Sequence, residues 1–198
     1  MLGVHIDNHL SWTEHINRTL SSCYGSLAVL RKLRSLAPFA IRKQLAESLI
    51  LSKLDYCDVV INPIPEYQTK RLQRVQNACT AFVIGKYART KDVTSLGWLP
   101  IRERRKLNLL KLIHKALFSE NWPNNLRLDL RTVNAYNLRS SVAPQLSVPG
   151  MKETDTFQHM AAQSFNSLPD YIRNITEYRR FIIETKKLLL HEAKTKLY

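Results

Sequence analysis

The chain has 198 residues, 44% of them apolar, which is enough for one sizeable core or two small ones and unlike a disordered or fibrous composition. No apolar run approaches the roughly 20 residues needed to cross a bilayer, and the opening residues lack a basic, apolar leader, so neither a membrane partner nor a secreted route is expected. Thirty Lys and Arg against 16 Asp and Glu leave a net charge of +14, which directs attention to polyanionic partners, of which nucleic acid is the commonest.

In chain order, Leu2 to Ile6 alternates weakly and reads as a short strand, with a turn at Asp7-Asn8. Ser11 and Glu14 have the spacing of a capping box, so a first helix is expected from Ser11, with Ile16, Leu20, Cys23, Tyr24, Leu27 and Leu30 on one face. Pro38 suits the first turn of a second helix whose stripe is Ile41, Leu45 and Leu49. After the break at Asn62-Pro63-Ile64-Pro65, a third helix is expected from about Glu66 to Gly85, packed through Leu72, Val75, Cys79, Phe82 and Val83. A fourth follows Leu99-Pro100, over roughly 101–119, with Leu109, Leu112, Ile113, Ala116 and Leu117 facing inward.

Composition then changes. Residues 121–125 read as a linker, and 126–155 are rich in Ser, Thr, Asn and Pro, with a loose hairpin expected around 133–139 and 145–149. Helices return over about 156–167 and 177–196, the last capped by Thr176, with Tyr178, Phe181, Ile182, Leu189 and Ala193 on its apolar face. The expected fold is therefore mainly α. It comprises a helical domain over 1–120 with a short N-terminal strand, an irregular connection over 121–155 and a small helical unit over 156–198. The three cysteines, Cys23, Cys57 and Cys79, are odd in number and widely spaced, which fits reduced thiols in the nucleus or cytoplasm better than a disulfide framework.

The charge is unevenly spread: the excess is +2 over residues 1–60, +8 over 61–120 and +4 over 121–198. In the third helix Lys70, Arg74 and Asn77 fall opposite the apolar stripe. In the fourth, Arg104, Asn108, Lys111 and Lys115 recur at helical spacing, and Arg102, Arg104, Arg105 and Lys106 crowd into five residues. One charged stripe is ordinarily a solvated helix face. Two consecutive basic faces with few acids favour a surface that follows phosphates without reading bases. Tyr67, Tyr87 and Trp98 lie near these cations and could stack on bases, although Trp98, between Leu96 and Leu99, reads as core.

No constellation in the sequence makes a catalytic site. His5, Asp7 and His9 offer metal-ligand types at a loose spacing better suited to a solvent-facing turn. Pro169-Asp170 with Glu184 and Lys186 imitates the pattern of Mg-dependent nucleases, but Glu184 and Lys186 sit in a segment of helical periodicity. Asp55 and Asp58 are the only close Asp pair. There is no Asp-Asp dipeptide, P-loop or G-x-S-x-G, so no catalytic residue, metal or cofactor is expected of this chain by itself.

Five segments in order resemble the reverse transcriptases of non-LTR (LINE-type, Jockey/CR1-like) retrotransposons downstream of their catalytic palm. They are LGVHIDNHLSWTEHI (Leu2–Ile16), SLILSKLDYCDVVINP (Ser48–Pro63), RLQRVQNACTAFVIG (Arg71–Gly85), TSLGWLPIRERRKLNLLKLIHKAL (Thr94–Leu117) and SFNSLPDYIRNITEYRRFIIETKKLL (Ser164–Leu189), the last with Phe165 where the family usually has Trp. The resemblance implies that residues 1–120 correspond to the end of the palm and a helical, thumb-like bundle that holds an RNA–DNA hybrid. It carries a binding role onto Lys70, Arg71, Arg74, Arg102, Arg104, Arg105 and Lys111, beside which the basic stripes place Lys106 and Lys115. The polymerase aspartates and their Mg ions would belong to palm sequence preceding Leu2. The expected partners are RNA, DNA or their hybrid, and the remainder of the polymerase if the chain is made as a longer product. The alternative is a non-binding relic or a protein-interaction fragment of a transposon-derived gene. Lys70, Arg74, Arg104 and Lys111 are expected to face outward, so that joint replacement by Glu would abolish binding and leave the helical circular-dichroism signal intact.

Overall fold

A computed structural model describes residues 3–9, 11–119, 122–123, 128, 144–148 and 156–197. The protein is mainly helical. The chain groups into two compact units, Met1–Arg105 with Leu190–Tyr198 and Lys106–Leu189, so that two of its helices run from one unit into the other.

In the first unit, residues 3–6 form no strand, contrary to the alternation in their sequence. A single short extended segment gains no ladder hydrogen bonds without a neighbouring strand. Helix α1 spans Thr13–Lys32 and buries Ile16, Leu20, Cys23, Leu27 and Leu30 as expected, while Tyr24 stays exposed. Its start differs from the expected capping box. Ser11 turns back to Asp7, donating its backbone N–H to Oδ1 (2.9 Å) and its hydroxyl to Oδ2 (2.7 Å). These two bonds hold the Asp7 carboxyl below its ordinary pKa. Glu14 is drawn to Arg18 (2.6 Å), one helical turn on. The N-cap position falls to Trp12, which has φ 58° and makes no side-chain cap.

Pro38 precedes α2 (Phe39–Ala46), which continues through one π-helical turn (Glu47–Leu51) into the short α3 (Ser52–Asp55). The expected stripe here is displaced by one residue. Ala46, Ile50 and Leu54 are buried together with Leu51, whereas Ile41 and Leu49 are exposed and Leu45 only lines the core. Both stripes have i, i+4 spacing, so periodicity alone could not choose between them. Lys53 fastens α3 to α1 by donating to the hydroxyls of Ser22 (2.8 Å) and Ser26 (2.7 Å).

Helix α4 (Glu66–Ile84) is the centre of this unit and packs against α1, α2 and α5 (Thr90–Ser95). All five residues of its expected stripe are buried, and Gly85 ends it at φ 81°, a left-handed conformation that costs little without a Cβ. Gln68 and Gln76 are also fully buried on α4. Gln76 Nε2 donates to the Leu99 carbonyl (2.8 Å), and Gln73 Oε1 accepts the Ile101 N–H (2.9 Å). A further bond from Gln73 Nε2 to Gln76 Oε1 (2.9 Å) joins the two side chains. Leu99, Pro100 and Ile101 thus start α6 (Ile101–Phe118) with an N-terminal N–H satisfied by a side chain of another helix. Trp98 is buried in the same core, its indole donating to Glu47 Oε1 (2.6 Å).

In the second unit, α7 (Phe157–Asn166), α8 (Asp170–Arg173) and the first part of α9 (Tyr178–Leu197) accompany the later turns of α6. Leu110, Ile113, Phe165, Ile172, Phe181 and Leu189 are fully buried, and His114 Nε2 meets the Ile175 carbonyl at 3.0 Å. On α6, Leu109 and Ile113 are buried as expected, while Leu112, Ala116 and Leu117 are half-buried. Of the expected hairpin, 133–139 lies outside the described residues. Leu146 bonds through both backbone groups to the side-chain amide of Asn166 (2.8 and 2.9 Å). Of the expected linker 121–125, only Trp122 and Pro123 are described.

Replacing Gln76 with Leu keeps the volume but leaves the buried Leu99 carbonyl without its donor and removes the Gln73–Gln76 bond. A loss of about 2 kcal/mol of stability is expected, read from the urea unfolding midpoint against the native chain.

Candidate nucleic-acid interface

The residues expected to grip a phosphate backbone do not share one environment. On α4, Lys70 and Arg74 are exposed, one turn apart, and no carboxylate lies within ion-pair distance of either among the described residues. Arg71 is half-buried and donates to Gln68 Oε1 (3.0 Å). Asn77 points toward α5, donating to Thr90 Oγ1 (3.3 Å) while accepting from Gln73 (2.9 Å).

The start of α6, in the same unit, is different. Arg102 donates to Glu66 Oε2 at 2.5 Å, with both side chains largely exposed. Arg104 makes a two-pronged pair with Asp55, Nε to Oδ1 and Nη2 to Oδ2, each 2.5 Å, at side-chain exposures of 21% and 33%. This fork geometry is the strong form of the arginine–carboxylate contact. Arg105 donates to Asn62 Oδ1 (3.1 Å), and its burial pushes the guanidinium pKa down while the nearby Asp58 pushes it up. The expectation that Arg104 faces outward is therefore corrected. Acids on segments distant in sequence reach the first turns of α6, and a stripe drawn on α6 alone could not reveal them.

In the second unit, Lys106 donates to Ser167 Oγ (3.3 Å), Lys111 to Asn108 Oδ1 (3.1 Å), and the Lys115 ammonium stands 5.3 Å from the Tyr178 ring centroid. Lys115 is exposed, while Lys106 and Lys111 are half-buried.

A cavity of about 170 Å³ in the first unit brings Lys70 near Arg102 and Lys196, with Glu66 and Glu103 also in its wall. The two carboxylates offset the cations, so the cavity itself is not a clean anion site. Of the expected aromatics, Trp98 is core, Tyr67 is exposed on the first turn of α4 and accepts from Gln68 Nε2 (3.1 Å), and Tyr87 is 81% exposed.

The carboxylates weighed for metal chemistry have other partners. Asp170 pairs with Arg173, and Glu184 with Lys187 (2.8 Å). Among the described residues, no group of three His, Cys, Asp or Glu side chains is placed to hold a metal ion. Cys23 and Cys79 are buried free thiols, pushed by burial up to about 11 and about 12, and the free thiol of Cys57 is half-buried. No described helix is long and apolar enough to cross a membrane.

A structurally coherent basic surface therefore survives on α4, while the α6 arginines are tied into the fold. Sequence reasoning missed a second concentration of cations, Arg31 in the last turn of α1, Arg34 just beyond it and Lys86 after α4. No helical stripe connects these residues, because they come together only where two helix ends meet. Compared with known proteins, the chain matches no family model, no curated protein and no solved structure.

Arg104→Glu would set a second carboxylate against Asp55, and a destabilisation of about 2 kcal/mol is expected. Exchanging the charges, with Asp55→Arg and Arg104→Glu together, should recover part of that loss. Urea midpoints of the two single variants and the double variant measure the coupling.

Proposed function

We propose that the chain binds nucleic acid by electrostatic contact with phosphates, as the thumb-like and downstream part of a LINE-type reverse transcriptase that grips an RNA–DNA hybrid. One observation carries this reading most directly. Lys70 and Arg74 extend from one exposed face of α4, one turn apart, with no carboxylate partner among the described residues. The opposite face of the same helix is the core of its unit, so these cations are presented by a rigid support.

The five ordered segments resembling that polymerase family support the assignment, as does the net charge of +14. On this reading the clamp follows the backbone and is tolerant of base sequence. In the second unit, taken by itself, Lys115 is also exposed, whereas in the first Arg102, Arg104 and Arg105 shape the surface that carries the clamp. The polymerase chemistry, with its aspartates and Mg ions, would be supplied by the palm. The internal ties of those three arginines favour the alternative of a fragment that folds without binding, and that alternative predicts no salt-dependent affinity.

Fluorescence anisotropy with a labelled RNA–DNA hybrid, titrated with the chain across about 50 to 200 mM salt, separates the two. A steep fall of affinity with salt is expected. Changing Lys70 and Arg74 together to Ala should weaken binding at least tenfold and reduce the slope of log affinity against log salt by about 2, with unchanged helical signal. Absence of hybrid binding at the lowest salt would overturn the proposal.

A further inference from the structure

Where α1 ends against the last turns of α4, the first unit has a groove of about 630 Å³. Arg31, Arg34 and Ser35 form one wall, and Lys86 and Tyr87, just past the Gly85 cap, form the other. Ala78, Ala81 and Phe82 make an apolar floor. Among the described residues no carboxylate lines it, and none lies within ion-pair distance of Arg31, Arg34 or Lys86.

Two features distinguish this groove from an ordinary solvated helix end. A basic residue in the last turn complements a helix dipole, which accounts for Arg31 and Lys32 on α1. It does not account for Arg34, which lies beyond that helix, or for Lys86, since α4 has no basic residue in its last turn and Lys86 follows its cap. The second feature is Tyr87. An aromatic ring 81% exposed beside three cations is costly to leave in water and well suited to stacking. The Arg89 guanidinium stands 6.0 Å from the ring centroid, adding positive charge to the same edge.

We propose that this groove binds single-stranded nucleic acid, with Arg31, Arg34 and Lys86 on the phosphates and Tyr87 stacked against an unpaired base. Single strands fit better than a duplex because paired bases are already stacked on one another and offer no free face to a tyrosine. An apolar floor between cationic walls likewise suits a strand whose backbone and bases must both be housed. The inference rests on the nucleic-acid reading and adds a site to it. The groove floor at Ala78 comes within one turn of Arg74, but Arg74 and Ile84 are separated by about 15 Å along the helix axis, so Lys86 and Tyr87, which follow Ile84, stand apart from the Lys70–Arg74 pair.

The test measures a labelled oligouridine of about twelve nucleotides beside a labelled RNA–DNA hybrid, at about 100 mM salt, by anisotropy. Tyr87→Ala should weaken oligouridine binding about tenfold, Tyr87→Phe should retain it, and Arg34→Ala with Lys86→Ala should weaken it tenfold or more. Hybrid binding should change less than about twofold in these variants and respond instead to changes at Lys70 and Arg74. All groove positions changed are exposed, and circular dichroism verifies the fold. If the hybrid binds but oligouridine does not, or oligouridine binding ignores the groove variants, the groove assignment is wrong while the hybrid clamp stands. Polyglutamate competing as well as unlabelled oligouridine, with Tyr87→Ala silent, would mark a surface for acidic polypeptides and also overturn it. If neither nucleic acid binds, both the clamp and the groove fail.

Discussion

The first unit depends on how two glutamines of α4 receive the turn that starts α6. An amide side chain buried in an apolar core is costly unless each of its polar atoms is matched. The buried Gln76 meets that requirement by bonding to the Leu99 carbonyl and to the half-buried Gln73, which in turn accepts the Ile101 N–H. The result fixes the position of a proline-containing turn and of a helix start at once. Apolar contacts alone would permit α6 to slide or rotate by part of a turn, whereas backbone groups bonded to fixed amides would not. Once the first turn of α6 is set, Arg102, Arg104 and Arg105 are delivered to Glu66, Asp55 and Asn62.

That delivery explains why the density of basic residues at 102–106 is a poor guide to binding. Arginine is suited both to phosphate and to carboxylate, because its planar fork matches either partner. Which one it meets is decided by the tertiary neighbours. Asp55 closes α3 and Glu66 opens α4, both helix ends adjacent to the chain break at 62–65. The fold returns α6 to that break, and its cations find acids there. Lys70 and Arg74, one and two turns further along α4, have no such acid among the described residues.

Much of the helical architecture was legible from apolar periodicity. The buried faces of α1 and α4 were read almost residue by residue, because a long helix on one core repeats its signal over five turns. The stripe of α2 was read one residue out. Its eight residues give few repeats, and the π-helical turn that follows shifts the register of what is buried. Ser11 and Glu14 satisfied a local capping pattern, yet Asp7 and Arg18 offered each of them a closer partner. The short strand failed for a related reason, since extended backbone is stabilised by a neighbour that a sequence pattern cannot supply. At the candidate site, exposure was legible for Lys70 and Arg74, and partnership was not legible for any arginine of α6.

The electrostatics of helix ends also decide what kind of ligand the α1–α4 groove can hold. The carboxyl ends of α1 and α4 carry partial negative charge, which discourages carboxylates from settling there, and among the described residues none pairs with Arg31, Arg34 or Lys86. The same partial charge repels phosphate at close range, so an anion cannot be held by backbone groups as it would be at a helix amino end. It must be met further out, by long side chains beyond the last carbonyls. Arg34 and Lys86 both follow their helices and have that reach. Contacts made in this way are individually weak and strongly screened by salt, so charge alone would give little selectivity. The exposed ring of Tyr87 supplies a component that salt does not screen, and it discriminates between a strand with open base faces and one whose faces are already covered.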